Sequence, residues 1–229
     1  MVQNQDKILA EARENIAQVQ RVFQKIQQLI RIKLELNKRR DAVLEKIIIS
    51  GSTPGNVESL KPILEREKKV LGIIIKEEDI ETSNIYIAEQ ILSKLGKNKE
   101  QKRAIEAELK KIGINFSDLE AIAIVAMKIL QKSKIVLWKI KRRIKLEEEL
   151  ISNPTSRNLT MFIDEFGQEK SLVQGLMEYV RVKVNQNGIR QLSSNLYEYI
   201  RIHRTNPFNS INPFFIAIMA LSGIVGILA

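Results

Sequence analysis

Few residues in this chain have the types and spacing that support catalysis. There is no cysteine, which excludes thiol chemistry and cysteine-bound metals, and His203 is the single histidine among 229 residues. The sequence has no His-Ser-Asp set and no metalloprotease, P-loop or dinucleotide-binding motif. We therefore predict no enzyme, no cofactor and no metal site. His203, within Arg-Ile-His-Arg, suits a position at a membrane interface better than catalysis.

Carboxylates form two clusters that could exchange protons or hold a divalent ion. One comprises Glu77, Glu78, Asp79 and Glu81, and the other comprises Glu147, Glu148 and Glu149. Neither cluster lies beside a pocket signature, so we interpret both as charge on helix surfaces. A basic cluster between Arg31 and Arg40 is diluted by Glu35, and we expect it on a solvated helix surface too.

A second basic run contains no acidic residue between Lys128 and Lys145. Its charged members are Lys128, Lys132, Lys134, Lys139, Lys141, Arg142, Arg143 and Lys145. Trp138 and several aliphatic residues are interleaved, which is typical of an amphipathic helix on an anionic lipid surface. The same residues suit nonspecific contacts with nucleic-acid phosphates, and a third alternative is a core helix with a solvated lysine face. Trp138 favours lipid, because indoles collect at membrane interfaces.

The most apolar segment runs from Phe214 to Ala229 and carries no charged side chain. Its characteristic residues are Phe214, Phe215, Ile216, Ile218, Leu221, Gly223, Gly226 and Leu228. Sixteen residues of helix reach about 24 Å, close to the hydrocarbon thickness of a bilayer. Arg201 and Arg204 precede the segment, so the positive-inside rule predicts a tail anchor with the body in the cytoplasm. A buried core helix, a partly inserted segment and tails that pack together in an oligomer remain alternatives.

The N-terminal region has a heptad pattern that predicts a long helix with a packing seam. The seam residues are Leu9, Ile16, Val19, Phe23, Ile26 and Ile30. Lys33 and Arg40 then interrupt the apolar row. So long a helix needs a neighbour, which we expect to be an antiparallel helix of the same chain or a second copy.

Helical periodicity continues through most of the chain and predicts an all-α fold, a bundle of long antiparallel helices. Helices are expected over roughly 6–49, 56–95, 99–112, 117–151, 156–187 and 192–203, which form one body over 1–205. Residues 206–229 then supply a linker and the hydrophobic C-terminal membrane-anchor helix. Enrichment in isoleucine, lysine and glutamate fits a thermophile or an AT-rich genome.

The formal charge of +10 favours anionic partners. These features predict a non-enzymatic, tail-anchored helical scaffold or an assembly subunit of a larger membrane-associated complex, such as a membrane-protein complex or a virion. Its expected partners are membrane lipid, further copies of itself and other helices, with no small-molecule substrate. The alternative function is a membrane-tethered nucleic-acid-binding protein that uses the basic helix 128–145.

Overall fold

The computed structural model describes residues 2–74, 93, 97, 99–111 and 113–184, and the regular elements of this part are all helices. The elements are α1 (Val2–Ser50), α2 (Pro54–Glu58), α3 (Lys61–Ile74), α4 (Lys99–Lys111), α5 (Phe116–Ser152) and α6 (Ser156–Val184). The predicted all-α class is confirmed for these residues. The predicted helix 192–203, the linker and the membrane anchor lie outside the described residues.

The chain divides into two compact units, and α1, α5 and α6 each contribute to both. The first unit contains Met1–Gln24, Glu78–Leu130 and Val180–Ala229. The second contains Lys25–Glu77 and Gln131–Tyr179.

In the first unit, the turn between α4 and α5 depends on Gly113. This glycine has a φ of 69°, in the left-handed region that disfavours side chains. The Gly113 amide donates to the Lys110 carbonyl, and the Ile114 amide donates to the Leu109 carbonyl. These two bonds form a Schellman motif, which satisfies the last carbonyls of α4. Helix α5 begins at Phe116, within one residue of the predicted start at 117.

In the second unit, two helical hairpins use the same turn chemistry. Thr53 precedes α2, and its hydroxyl oxygen accepts a hydrogen bond from the Asn56 amide at 3.4 Å. Thr155 precedes α6, and its hydroxyl oxygen accepts from the Asn158 amide at 3.2 Å. Both asparagine side chains donate back to a carbonyl at the end of the preceding helix segment, that of Gly51 or Asn153. Each Thr-x-x-Asn segment thus caps one helix while closing the turn before it.

The two hairpins of the second unit pack as a four-helix bundle with both turns at one end. A single core cluster there joins residues of both hairpins: Leu44, Ile47, Val57, Leu60, Leu150, Phe162 and Phe166. Since both turns share this cluster, α1 and α5 run in one direction and α3 and α6 run in the other. Lys170 of α6 contacts Asp41 of α1, and Lys68 of α3 contacts Glu148 of α5. Neighbouring helices are therefore antiparallel.

The core cluster gives a prediction about stability. Phe162 is fully buried and stacks on Phe166 with ring centroids 5.9 Å apart, whereas its neighbour Met161 is 42% exposed. Replacing Phe162 by alanine leaves a cavity and should lower the free energy of unfolding by about 3–5 kcal/mol. The matched Met161→Ala change should cost below about 1 kcal/mol, because that side chain is already largely solvated. Guanidinium unfolding of both variants measures the difference, and equal losses would show that Phe162 is not in a packed core.

Candidate functional site

The centre of the second unit holds six charged side chains that are at most 1% exposed. Its cations are Lys33 and Arg40 of α1 and Arg143 of α5, and its anions are Glu67 of α3, Glu147 of α5 and Glu169 of α6. We call these six residues the buried charge network. Three positive and three negative charges sum to zero, so the network leaves no net charge in the core.

The two arginines connect the three carboxylates. Arg40 donates from Nε to Glu147 at 2.8 Å and from Nη2 to Glu67 at 2.7 Å. Arg143 donates from Nε to Glu169 at 2.8 Å. Its other two guanidinium nitrogens donate to Glu147 and to Glu67. The two planar guanidinium groups, which match carboxylate geometry, therefore connect all four helices of the bundle in one network.

Lys33 completes the network through contacts with Glu67 and Glu169. Its ammonium donates to Glu67 and forms an ion pair with Glu169 Oε1 at 2.6 Å. Burial lowers the pKa of Lys33, and repulsion from Arg143 and Arg40 lowers it further. The attraction of Glu169 and Glu67 acts in the opposite direction but does not restore the ordinary value.

Two carboxyl groups of the network, those of Glu67 and Glu169, are held in their ionised form by lowered pKa values. Burial alone would raise the pKa of Glu67, but the charges of Arg143, Lys33 and Arg40 outweigh it and lower the pKa to about 2. The pKa of Glu169 is lowered in the same way by Arg143 and Lys33. Burial opposes the charged form of Arg143 too, yet Glu169, Glu67 and Glu147 together raise its pKa. Attraction between partners thus exceeds desolvation for these three groups.

The chemistry of this centre is that of a closed structural cluster. Its carboxylates are occupied by guanidinium and ammonium groups and excluded from water, so a substrate has no route to them. Among the described residues, no group of three or more histidine, aspartate or glutamate side chains is arranged to hold a metal ion. We assign the network to the positioning of helices, and the surface around it carries the candidate interactions.

The network overturns two expectations drawn from the sequence. Lys33 and Arg40 belong to the cluster expected on a solvated helix surface, but both are buried. Glu147 is also buried, whereas Glu148 and Glu149 beside it are exposed. A local signal for this exists, because Lys33 and Arg40 lie at heptad spacing between Ile26 and Ile47, two core residues. Charged residues in phase with an apolar row face the core when their partners on other helices neutralise them.

The basic run of α5 is divided between the inside and the outside of the bundle. Arg143 belongs to the buried charge network, and Lys139 is 7% exposed and lies 2.8 Å from Glu165. Lys134 is half-buried, and Lys128 is exposed in the first unit. The remaining members are exposed in the second unit: Lys132, Lys141, Arg142 and Lys145. A binding role for these residues stays a prediction.

The exposed members share one side of α5 with two large apolar residues. Ile135 is 50% exposed and Trp138 is 52% exposed. Steps of three and four residues place Ile135, Trp138, Arg142 and Lys145 along one helix face, and Lys132 and Lys141 lie at its two opposite edges. We call this surface the α5 basic face, and its residues are Lys132, Ile135, Trp138, Lys141, Arg142 and Lys145.

Trp138 is held in position by its cationic neighbours. The Lys139 ammonium lies 5.5 Å from the centre of the indole ring, and the Arg142 guanidinium lies 5.7 Å from it. Arg142 also contacts Glu165 at 3.4 Å, which ties it to α6. The indole is therefore oriented by cation–π contacts while half of its surface stays accessible.

The other predicted sites are described only in part. Of the N-terminal seam, Phe23, Ile26 and Ile30 are buried, and Leu9, Ile16 and Val19 precede the residues whose side chains the structure describes. His203, the anchor and the acidic cluster Glu77 to Glu81 lie outside the described residues. Within the described helices, none has the length and apolar character needed to cross a membrane.

Comparison with known proteins finds no matching family model, no matching curated protein and no matching solved structure.

The ionisation of Glu67 predicts how stability depends on pH. Its pKa is about 2 in the folded chain against an ordinary value of 4.5, so its stabilising contribution is present above pH 4.5 and is lost as the pH falls toward 2. Between pH 7 and pH 3 this carboxyl group should account for roughly 2 kcal/mol of the loss in the free energy of unfolding. Guanidinium unfolding of the full chain in detergent, followed by the fluorescence of the single tryptophan, measures it.

Two variants make this pH measurement specific. Glu67→Gln removes the titrating group and should lower stability at pH 7 by about 3–5 kcal/mol, because it strands buried cations. Its further loss between pH 7 and pH 3 should be smaller than that of the wild type by the same roughly 2 kcal/mol. Glu65→Gln is the matched control, since Glu65 is exposed on the same helix and should leave the pH profile unchanged. If Glu67→Gln keeps the full pH dependence, Glu67 is not ionised against the network.

Proposed function

We propose that this protein is a membrane-associated helical scaffold or assembly subunit whose α5 basic face lies against an anionic lipid surface. The observation that carries this proposal is the composition of the face: four exposed cations surround two apolar side chains that are each about half exposed. The apolar segment Phe214 to Ala229 supplies a second attachment in this proposal, as the predicted tail anchor.

The mixture of cationic and apolar groups on one face favours lipid as the ligand. Each exposed lysine or arginine near an anionic membrane contributes about 1 kcal/mol of attraction. Ile135 and Trp138 can insert between headgroups, where apolar side chains and indoles are favoured. A nucleic-acid backbone would use the cations, but it offers no apolar environment for Ile135 and only one stacking contact for Trp138.

The interior of the second unit suits a scaffold role. Six charges that must all find partners fix the register of four helices, so the unit presents its surfaces in a constant arrangement. A rigid platform of this kind can hold two attachment surfaces at fixed positions. Lipid contact through α5 would then orient the remaining faces of the bundle toward protein partners.

The lipid proposal gives a fluorescence prediction, because Trp138 is the only tryptophan and lies on the α5 basic face. The full chain is reconstituted in phosphatidylcholine vesicles with and without phosphatidylglycerol. The emission of Trp138 should shift to shorter wavelength only in the anionic vesicles, and added salt should reverse the shift. Identical emission in both vesicle types would show that this face does not contact anionic lipid.

Two sets of substitutions with equal charge separate the α5 basic face from general basicity. Changing Lys132, Lys141, Arg142 and Lys145 to glutamine should abolish the spectral shift. Changing Arg31, Lys38, Lys46 and Lys61 to glutamine removes the same charge from exposed positions on α1 and α3 and should leave it intact. A gel shift with random-sequence DNA runs beside both sets. Salt-sensitive DNA binding that only the first set removes, with no effect of lipid on Trp138, would favour the nucleic-acid function instead.

The predicted anchor is tested separately by deletion. Removing Phe214 to Ala229 should release the protein from membranes into the carbonate-soluble fraction, because the remaining lipid contact is mainly electrostatic. Flotation of the full-length and shortened proteins with vesicles is the measurement. A full-length protein that stays in solution as a monomer without detergent would contradict the anchor.

A further inference from the structure

An apolar groove lies between α1 and α6 in the second unit, on a different side of the bundle from the α5 basic face. Its volume is about 480 Å³. Leu44, Ile163 and Phe166 line it, together with Ile48 and Ile49 near the end of α1. Ile48 is 62% exposed and Ile49 is 79% exposed. Two adjacent isoleucines this exposed beside an apolar groove indicate a surface that another molecule covers.

Gly167 adds an independent indication of close contact from outside. It lines the groove within α6, and a Cβ atom placed on it would meet nothing within 4 Å. Glycine weakens the interior of a helix relative to alanine, and nothing within the described part of the chain requires its small size here. A glycine on a helix surface allows the backbone of a second helix to approach closely.

The charges at the rim of the groove differ between its two sides. Asp41 and Glu45 lie on the α1 side and Lys170 lies on the α6 side. Lys170 pairs with Asp41 at 2.7 Å, and Glu45 forms no ion pair among the described residues. One side is thus acidic and the other basic, so the groove is complementary to a copy of itself turned by a half rotation.

We infer that this groove is the interface through which two copies of the chain associate. A two-fold axis parallel to the bundle places α1 of one copy against α6 of its partner. Those helices then meet antiparallel, as α1 and α6 do within one chain. The two exposed isoleucines cover the groove of the other copy near Gly167, and Glu45 faces Lys170 across the interface.

The dimensions of this face suit a dimer. Helix α6 contributes about 24 residues to the second unit, which is about 36 Å of helix. Two helices side by side are about 20 Å wide, so the face covers about 700 Å². Stable interfaces bury about 800 Å² on each partner. The area of this face is close to that value even without the residues at its rims. This inference rests on the scaffold part of the proposed function, and it names a second copy as the partner.

The test uses the absence of cysteine from the chain. Ile49→Cys places one thiol at the groove, and Ile135→Cys places one thiol at another exposed helix position, on α5. The full-length variants in mild detergent are treated with a short bis-maleimide cross-linker. Covalent dimer should form at least about tenfold faster with Ile49→Cys than with Ile135→Cys. Equal rates, or no dimer with Ile49→Cys, would overturn the inference.

A second pair of variants tests the close approach at Gly167. In the Ile49→Cys background, Gly167→Leu fills the groove and should slow cross-linking about tenfold. Gly175→Leu is the matched control, because Gly175 is also an exposed helix glycine with nothing within 4 Å, but it does not line the groove. If Gly167→Leu cross-links as fast as the control, no second helix packs there.

Exchange of charge identifies the second copy as the occupant. Two variants are made in the Ile49→Cys background, Glu45→Lys and Lys170→Glu. In a dimer of either variant, like charges face each other at positions 45 and 170, so each variant should form less dimer. A mixture of the two variants restores opposite charges at both contacts and should recover the wild-type rate. No recovery in the mixture would overturn the symmetric dimer and leave the groove to a different protein.

The outcome is separable from that of the lipid proposal. The Trp138 measurement depends on the α5 basic face, and the cross-linking depends on the groove between α1 and α6. A spectral shift in anionic vesicles without selective cross-linking would retain the lipid contact and remove the dimer. Selective cross-linking without a spectral shift would retain the dimer and remove the lipid contact.

Discussion

The second unit depends on one constraint: three cations and three carboxylates share a space from which water is excluded. Burying any one of them alone would cost several kcal/mol, so each is tolerated only because the others neutralise it. The partners come from four helices, and Glu67 alone contacts Lys33, Arg40 and Arg143. A shift of one helix by a single turn would separate these partners and leave unpaired charges in the core. The main effect of the network is therefore to exclude other helix registers. Its net contribution to stability is smaller, since apolar residues of similar volume could stabilise the bundle as well.

The two hairpins bring the carboxylates to the same level by similar local means. Glu67 lies fourteen residues after Thr53, and Glu169 lies fourteen residues after Thr155. In both hairpins a lysine follows the glutamate. Both carboxylates therefore lie the same number of residues from a capped turn at the same end of the bundle. The lysines after the glutamates, Lys68 and Lys170, both pair outward with a neighbouring helix. Overall sequence similarity between the hairpins is too low to reveal this correspondence, and it emerges once the capping threonines are aligned.

The sequence predicts helices well here because their signals are local. Apolar periodicity, Gly51 after α1 and Gly113 after α4 lie within the segments they determine. The candidate surfaces could be predicted only in part, because the side of a helix that a lysine occupies depends on residues far away in the chain. Arg143 pairs with Glu67, 76 residues earlier, and Lys170 pairs with Asp41 across 129 residues. No window of local sequence contains both members of such a pair. What the sequence does contain is phase: Val136, Ile140, Arg143, Glu147 and Leu150 follow one helical row, and all five are buried.

Internal neutralisation also determines what a partner encounters outside. Because the buried charge network sums to zero, it contributes nothing to the formal charge of +10, which belongs to the residues outside it. Helix α5 shows how one segment serves both purposes. Lys139 and Arg143 turn inward to carboxylates, whereas Lys141 and Arg142, between them in sequence, remain at the surface beside Trp138. Since the inward residues fix the rotation of α5 about its axis, they also fix the direction in which the outward residues point. The α5 basic face is therefore positioned by the same ion pairs that hold the core together, and a change in the network would alter the surface without touching any surface residue.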